Sequence, residues 1–473
     1  MTSNFARALA ARARAIGQAH GGGLLVKGTR RRLTAVAHLL SGNFLNAAIM
    51  LISVAIAARS LGVAAYGIMV MVLSYNRVVE RIVRFESWQP LIRFAVQEEQ
   101  KGSPERMARL YAYGLLLDIG AAIFAACLIV GLALAVGGVF GLSSFHLQLV
   151  AIYSVATVFN VAGVPTAALR LSGRFKLLAY TQIIANLLRI VFAAFCAIQG
   201  FGLVGFMIAW TAAQALGSVA VFAVGFHALR SMGIPNPFSV SMRGLRKDFP
   251  GFFGFACSTN LSLTLRVITT EADSLFVGAV AGAPAAAVYY LAKRIAKVAV
   301  QIGAQVQAVV YPDVSRMWAS GDVRGLRAAT LQVQIALGGA GLAMLLGAYL
   351  FAPLMIRLGP GEAYNATYLL LLTQLLAVIL MLHAAPSRSA LLAMNEPWLV
   401  LAISALGTAI FVGVAAYAVP RYGAIGGNIA HVVLGGVTAV LLDIFWLGKA
   451  RRSDARRAAD SNADLEPVTP VTG

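Results

Sequence analysis

The chain has 473 residues, 59% hydrophobic and 12% charged, with a mean hydropathy of +0.79 and a formal net charge of +20. A charged share about half that of ordinary soluble domains excludes a globular cytosolic protein and indicates repeated membrane crossings. The cationic excess is not a nucleic-acid signature, because no basic-and-aromatic platform or recognition helix lies outside the apolar segments.

In chain order, the apolar runs predict twelve spanning helices near 35–58, 67–94, 109–135, 147–169, 178–199, 203–228, 251–280, 285–312, 329–351, 367–392, 398–419 and 424–447. Each holds roughly 20 or more largely apolar residues, enough for a ~30 Å hydrocarbon core with some tilt. The first apolar run is too long and too late for a cleavable signal sequence. Basic residues collect in the leading tail (Arg7, Arg12, Arg14, Lys27, Arg30, Arg31, Arg32), the even-numbered loops and the closing tail. The odd-numbered connections hold only Arg59, Arg357 and Arg421. That asymmetry assigns both termini and the even loops to the cytoplasm. The basic tails either rest on anionic headgroups or act only as topology signals.

The two halves repeat at a nearly constant offset. Leu61-Gly62 with Gly67 aligns with Ala281-Gly282 and Ala287, Ala168-Leu169 with Ala390-Leu391, and Gly202 to Gly205 with Gly423 to Gly426. On this register Arg77 falls on Lys297 and Ser53 on Asp273. Six spans per repeat bring both halves into the membrane in the same sense, related by an axis along its normal. The expected architecture is therefore an all-α polytopic membrane protein. An N-lobe (34–230) and a C-lobe (251–448) would face each other across a central cavity. A basic segment (1–33) precedes them, a Pro- and Gly-containing linker (231–250) joins them, and a disordered tail (449–473) follows.

No nucleotide, metal or cofactor motif is present, and Cys127, Cys196 and Cys257 lie in apolar runs as small core residues, so covalent chemistry is not expected. What stands out is two cationic helix stripes. The second span carries Arg77, Glu80, Arg81 and Arg84; the eighth carries Lys293, Arg294 and Lys297, followed by Gln301 and Gln305. Spacings of three, four and seven place each set on one face. A cation in hydrocarbon costs about 2.5–3.5 kcal/mol on insertion scales, so several on one helix call for a wet cavity, an anionic ligand or internal pairing. In the ligand reading Arg77, Arg81, Lys293 and Lys297 grip a diphosphate, Arg with two parallel donors and Lys as a point charge. In the pairing reading Glu80 neutralises Arg77, Arg81 and Arg84, whereas the eighth span has no acid of its own.

The seventh span adds Ser262, Arg266, Glu271 and Asp273. Arg266 with Asp273 reads as a packing salt bridge; equally, Asp273 or Glu271 reads as an ion-coupling site. Asn43, Asn46 and Ser53 suit a hydroxyl-rich cargo or interhelical hydrogen bonding. Asp118, Asp443, Arg189 and His431 are single buried polar groups, read as structural.

Arg59-Ser60-Leu61-Gly62 and Tyr66-Gly67, Asp273 with Val277-Gly278, Gly282 and Tyr289-Tyr290, and Gly361 with Tyr364-Asn365-Ala366 resemble the bacterial polysaccharide flippases. That family belongs to the multidrug/oligosaccharidyl-lipid/polysaccharide exporter superfamily, and the resemblance spans 35–448. It implies an inner-membrane flippase without cofactor. Such a protein moves an undecaprenyl-diphosphate-linked oligosaccharide from the cytoplasmic to the periplasmic leaflet by alternating access, beside a polymerase and other polysaccharide assembly proteins. The family's lumenal cations carry over to Arg77 and Lys297, and then to Arg81, Lys293, Arg294 and Arg266. Glu80 and Glu86 depart from a purely anion-gripping stripe. A lipid II flippase, a multidrug or cation antiporter of the same superfamily, and a non-transporting assembly scaffold are the competing expectations.

Overall fold

A computed structural model describes residues 23–84, 87–99, 103–140 and 143–463, with side chains outside 23–45, 258–270, 304–309, 456–463 and a few single positions. Among the described residues all regular structure is helical. The first half comprises α1 (Gly23–Val83), α2 (Trp88–Glu99), α3 (Pro104–Val136), α4 (Ser144–Val158), α5 (Gly163–Leu171), α6 (Phe175–Ile198) and α7 (Leu203–Ser231). The second comprises α8 (Phe252–Ala281), α9 (Ala283–Ala319), α10 (Val323–Leu358), α11 (Thr367–Ala393), α12 (Pro397–Tyr422) and α13 (Ala424–Ala463). Eight helical runs among the described residues are long and apolar enough to cross a membrane.

The internal repeat is written in the backbone. Gly62 breaks α1 into two arms at φ 71°, and Gly282 separates α8 from α9 at φ 89°. Both adopt left-handed geometry that a side chain would strain. Gly173 and Asn395 likewise both take positive φ just beyond α5 and α11. Ser103 and Asp322 cap α3 and α10, each side chain accepting a bond from the amide three residues on. All three pairs fall at the offset read from the sequence.

Three of the expected boundaries shift. The second span stops at Val83, and α2 begins separately at Trp88. The fourth is interrupted at 159–162 between α4 and α5. Asp118 on α3 serves both places: its carboxylate accepts from the Val164 amide at 3.0 Å and the Ser87 amide at 3.4 Å, compensating the starts of two helices. The tail expected to be disordered continues α13 as far as Ala463.

Where the halves touch decides where the site lies. One apolar core is shared by both: Tyr66, Met69 and Val70 pack with Ala286, Tyr290, Ala352 and Tyr364. There α1 and α9 meet backbone to backbone, since a Cβ on Gly67 would come within 1.9 Å of the Ala283 carbonyl oxygen. Arg59 donates to the Leu358 carbonyl at 2.8 Å, and Tyr364 donates to the Ala58 carbonyl at 3.0 Å. At the opposite end the cores are separate, one around Leu91, Leu110, Val164 and Phe252, the other around Leu326, Leu391 and Trp446. The linker docks on the first half, where Arg106 donates to the Asp248 carbonyl and Arg109 to that of Arg243. The halves are thus sealed at the Gly62–Gly282 end, while at the linker end, among the described residues, the start of α8 packs on the first half through Phe252 and the two cores are otherwise separate.

Candidate functional site

A cavity of about 450 Å³ lies between the halves. Its walls come from both arms of α1, from α4, α6 and α7, and from α8 and α9. They bring together Arg77, Arg81, Arg84, Arg189, Arg294 and Lys297 with two carboxylates, Glu80 and Glu271. Six cations against two acids leave a local charge of +4. Tyr66, Tyr153, Tyr290 and Trp210 supply aromatic surface, and Thr157, Asn160 and Gln214 neutral polar groups.

The cations are not equivalent. Arg77 Nη1 lies 3.1 Å from Glu271 Oε2, and its Nη2 donates to the Tyr290 hydroxyl at 3.1 Å. Both partners belong to the other half. Glu271 also pairs with Lys297 at 3.7 Å. Arg84 pairs with Glu80 at 3.6 Å and donates to the Asn160 amide oxygen, while that same amide donates to Glu80 at 2.6 Å. Arg294 lies over the Tyr290 ring at 5.6 Å and against the Met50 sulfur. Arg189 stacks on Trp210 at 5.6 Å and donates to the amide oxygens of Asn186 and Gln214, each at 3.1 Å.

The expected site residues divide accordingly. Arg77, Arg81, Arg294, Lys297 and Glu271 meet in the cavity. Lys293 does not line it: Tyr290, Arg294 and Lys297 form the cavity stripe of α9, whereas Tyr289 and Lys293 form the neighbouring stripe turned toward α8 and α13. There Lys293 is ion-paired with Asp273, which is 4% exposed and also receives the Tyr289 hydroxyl at 2.9 Å. His431 Nε2 is 2.8 Å from the same carboxylate. The expected partner of Asp273, Arg266, has a side chain outside the described residues, as do Ser262, Asn43 and Gln305. Asn46 accepts from Asn186 at 2.5 Å, a bond between helices.

Sequence reasoning ranked Arg189 as structural and passed over Asn160 and Gln214. The available signal was that Arg189 has no acid within helical reach, which only the fold turns into a statement about a cavity. Asp443 accepts from Ser387, Gln334 and Trp446 and lies 2.8 Å from His383 Nε2, away from the cavity. Among the described residues no group of His, Cys, Asp and Glu is arranged to hold a metal ion.

Residues 56–369 match the family described as "Polysaccharide biosynthesis protein". The inner membrane protein YghQ of Escherichia coli (strain K12) is 25% identical over 336 residues, spanning 70% of this chain and 93% of that protein. In three dimensions the chain is similar to the lipid II flippase MurJ in an inward closed conformation (TM-score 0.69, 14% identity, 91% and 94% of the two chains). It is also similar to a MATE family multidrug transporter of the MOP superfamily in its inward-facing conformation (TM-score 0.66, 16% identity, 88% and 96%). An outward-facing MATE structure superposes less well (TM-score 0.52, 16% identity, 89% and 96%). The chain has the fold of these transporters, and it is a multi-pass membrane protein belonging to the polysaccharide biosynthesis protein family.

Proposed function

We propose that the protein flips a lipid-linked saccharide, an undecaprenyl-diphosphate-linked oligosaccharide unit, from the cytoplasmic to the periplasmic leaflet for polysaccharide assembly. One observation carries the reading: a cavity between two halves holds six cations and two carboxylates. Fixed cations in hydrocarbon are costly, and a diphosphate headgroup would compensate them with charge-assisted hydrogen bonds. The cavity volume lies in the range of ligand sites. The neutral polar groups and the Trp210 and Tyr153 rings suit the hydroxyl-rich, ring-shaped part of such a cargo, while the lipid chain stays in the bilayer. Membership of the polysaccharide biosynthesis family and the fold shared with a lipid II flippase support the same reading.

The basic loops assign the linker end to the cytoplasm, so the cavity opens where a lipid-linked precursor is made. Flipping then requires the sealed Gly62–Gly282 end to part while the linker end closes. The buried Asp273, Lys293 and His431 group couples this motion to an ion gradient in our reading, since a charge change there would alter contacts among α8, α9 and α13. A multidrug cation antiporter shares the fold, but a net positive cavity repels its cargo. A lipid II flippase shares the diphosphate chemistry and differs only in the sugar.

The test is flipping in proteoliposomes of defined lipid-linked saccharides, with lipid II and a lipophilic cation run in parallel. Transport of diphosphate-linked saccharides other than lipid II supports the proposal. Transport of lipid II alone, or of the cation alone, overturns it.

A further inference from the structure

Six cations line the cavity, and three of them already have carboxylates. Arg77 and Lys297 share Glu271, and Arg84 pairs with Glu80. Arg189 and Arg294 differ: neither forms an ion pair among the described residues, and the Nε of each is a buried donor with no hydrogen-bond partner. Arg189 is also 9% exposed. Its two terminal nitrogens are held by Asn186 and Gln214, neutral acceptors that orient the guanidinium without cancelling its charge. The pair is joined by a short chain of contacts. Asn186 donates to Asn46 on the first arm of α1, and Met50, one turn further along that arm, touches Arg294.

A buried cation kept in place by amides and aromatic rings, with a donor unused, is a poor structural element. A buried charge left without a counter-charge is strongly destabilising. It is a good receptor for an anion, because the orienting groups are already built and the charge remains available. The family resemblance singles out Arg77 and Lys297, and the geometry reverses that ranking.

We infer that the phosphate-bearing headgroup docks on Arg189 and Arg294, and that Arg77 is a strut tying the two halves together through Glu271 and Tyr290. The inference rests on the transport reading above and divides its cations into two classes. The anion subsite lies between α6 of one half and α9 of the other, so an occupied site bridges the halves near the strut.

The experiment titrates the full chain in nanodiscs with undecaprenyl diphosphate, using undecaprenol as the uncharged probe. Arg189→Gln and Arg294→Gln should each weaken diphosphate binding by roughly tenfold to a hundredfold, the value of a charge-assisted hydrogen bond, with undecaprenol uptake unchanged. Arg77→Gln should weaken it by less than about fivefold, as for a partly screened charge, and should lower the melting temperature. Arg189→Lys, which keeps the charge but loses the fork, should fall between wild type and Arg189→Gln. Equal losses in all three glutamine variants overturn the inference, as does wild-type affinity in both Arg189→Gln and Arg294→Gln. Should Arg189→Gln not fold, Arg294→Gln on the facing helix decides by itself. If the wild-type chain does not prefer the diphosphate to the alcohol, the transport reading falls together with the subsite. If it does and the variants do too, only the subsite falls.

Discussion

Arg77 and Glu271 stand 194 positions apart in the chain, yet Arg77 Nη1 reaches Glu271 Oε2 at 3.1 Å from the opposite half of the molecule. Both side chains are about four-fifths buried, at 25% and 19% exposure. A bridge of this kind serves one conformation, because lobes that rock apart at this level must break it. The acid missing from α9 is thereby supplied by α8.

The first expectation concerns that bridge. Arg77→Met and Glu271→Met, alone and combined, should show a coupling of about 1–3 kcal/mol in a double-mutant cycle on thermal stability. The double variant should be more stable than Glu271→Met alone, which strands the buried Arg77, whereas Arg77→Met leaves Glu271 with the half-exposed Lys297. Additive effects would mean that the two groups do not interact in the membrane.

A second expectation concerns export. In cells making the polymer, Arg189→Gln and Arg294→Gln should each lower export by about tenfold or more while the protein inserts at normal levels. Lys297→Ala should have a smaller effect, because its half-exposed ammonium sits 3.7 Å from Glu271 and is worth about 0–1 kcal/mol as an ion pair. Normal export by both arginine variants would remove Arg189 and Arg294 from the mechanism.

Asp273 gives a third. Replacing it with Asn leaves Lys293 without its buried partner, at a cost of about 3–5 kcal/mol, and protein levels should fall. Adding Lys293→Met should restore the level by removing the stranded charge. With folding restored, the double variant should flip cargo without dependence on a proton or sodium gradient. A gradient response identical to wild type would assign Asp273 to packing alone.

Gly67 provides a fourth. A methyl group there would press on the Ala283 backbone, and a helix contact this tight cannot yield without moving a half. Gly67→Ala should cost about 1–3 kcal/mol through overpacking and should loosen the sealed end. Accessibility of an engineered cysteine near Arg59 to a membrane-impermeant thiol reagent reports it: labelling should rise in Gly67→Ala. Unchanged labelling and melting temperature would show that this contact does not hold the seal.

Much of the fold was legible in the sequence, since hydropathy and small-residue punctuation are local signals. Apolar runs of membrane length located the helical segments, and Gly62 and Gly282 marked equivalent bends because only residues free of a Cβ adopt their geometry cheaply. The end of α1 at Val83 and the interruption at 159–162 were not legible in the apolar runs. Asp118, on a different helix from either, holds the Ser87 and Val164 amides where the next helices start. The continuation of α13 to Ala463 was missed because a polar, charged segment reads as tail whenever composition alone is weighed.

What the sequence by itself determined is that this chain crosses a membrane many times, repeats its own plan, and carries cations where hydrocarbon would forbid them. Helical period and residue chemistry suffice for that much. Only the tertiary structure decided which cations are spoken for. Lys293 turned to Asp273 and Arg77 to Glu271, while Arg189, two amides and a tryptophan came together from separate segments. The reason is physical: a charge is compensated by whatever lies within a few ångströms, and in a two-lobed bundle that neighbour comes from a helix the chain reaches only much later.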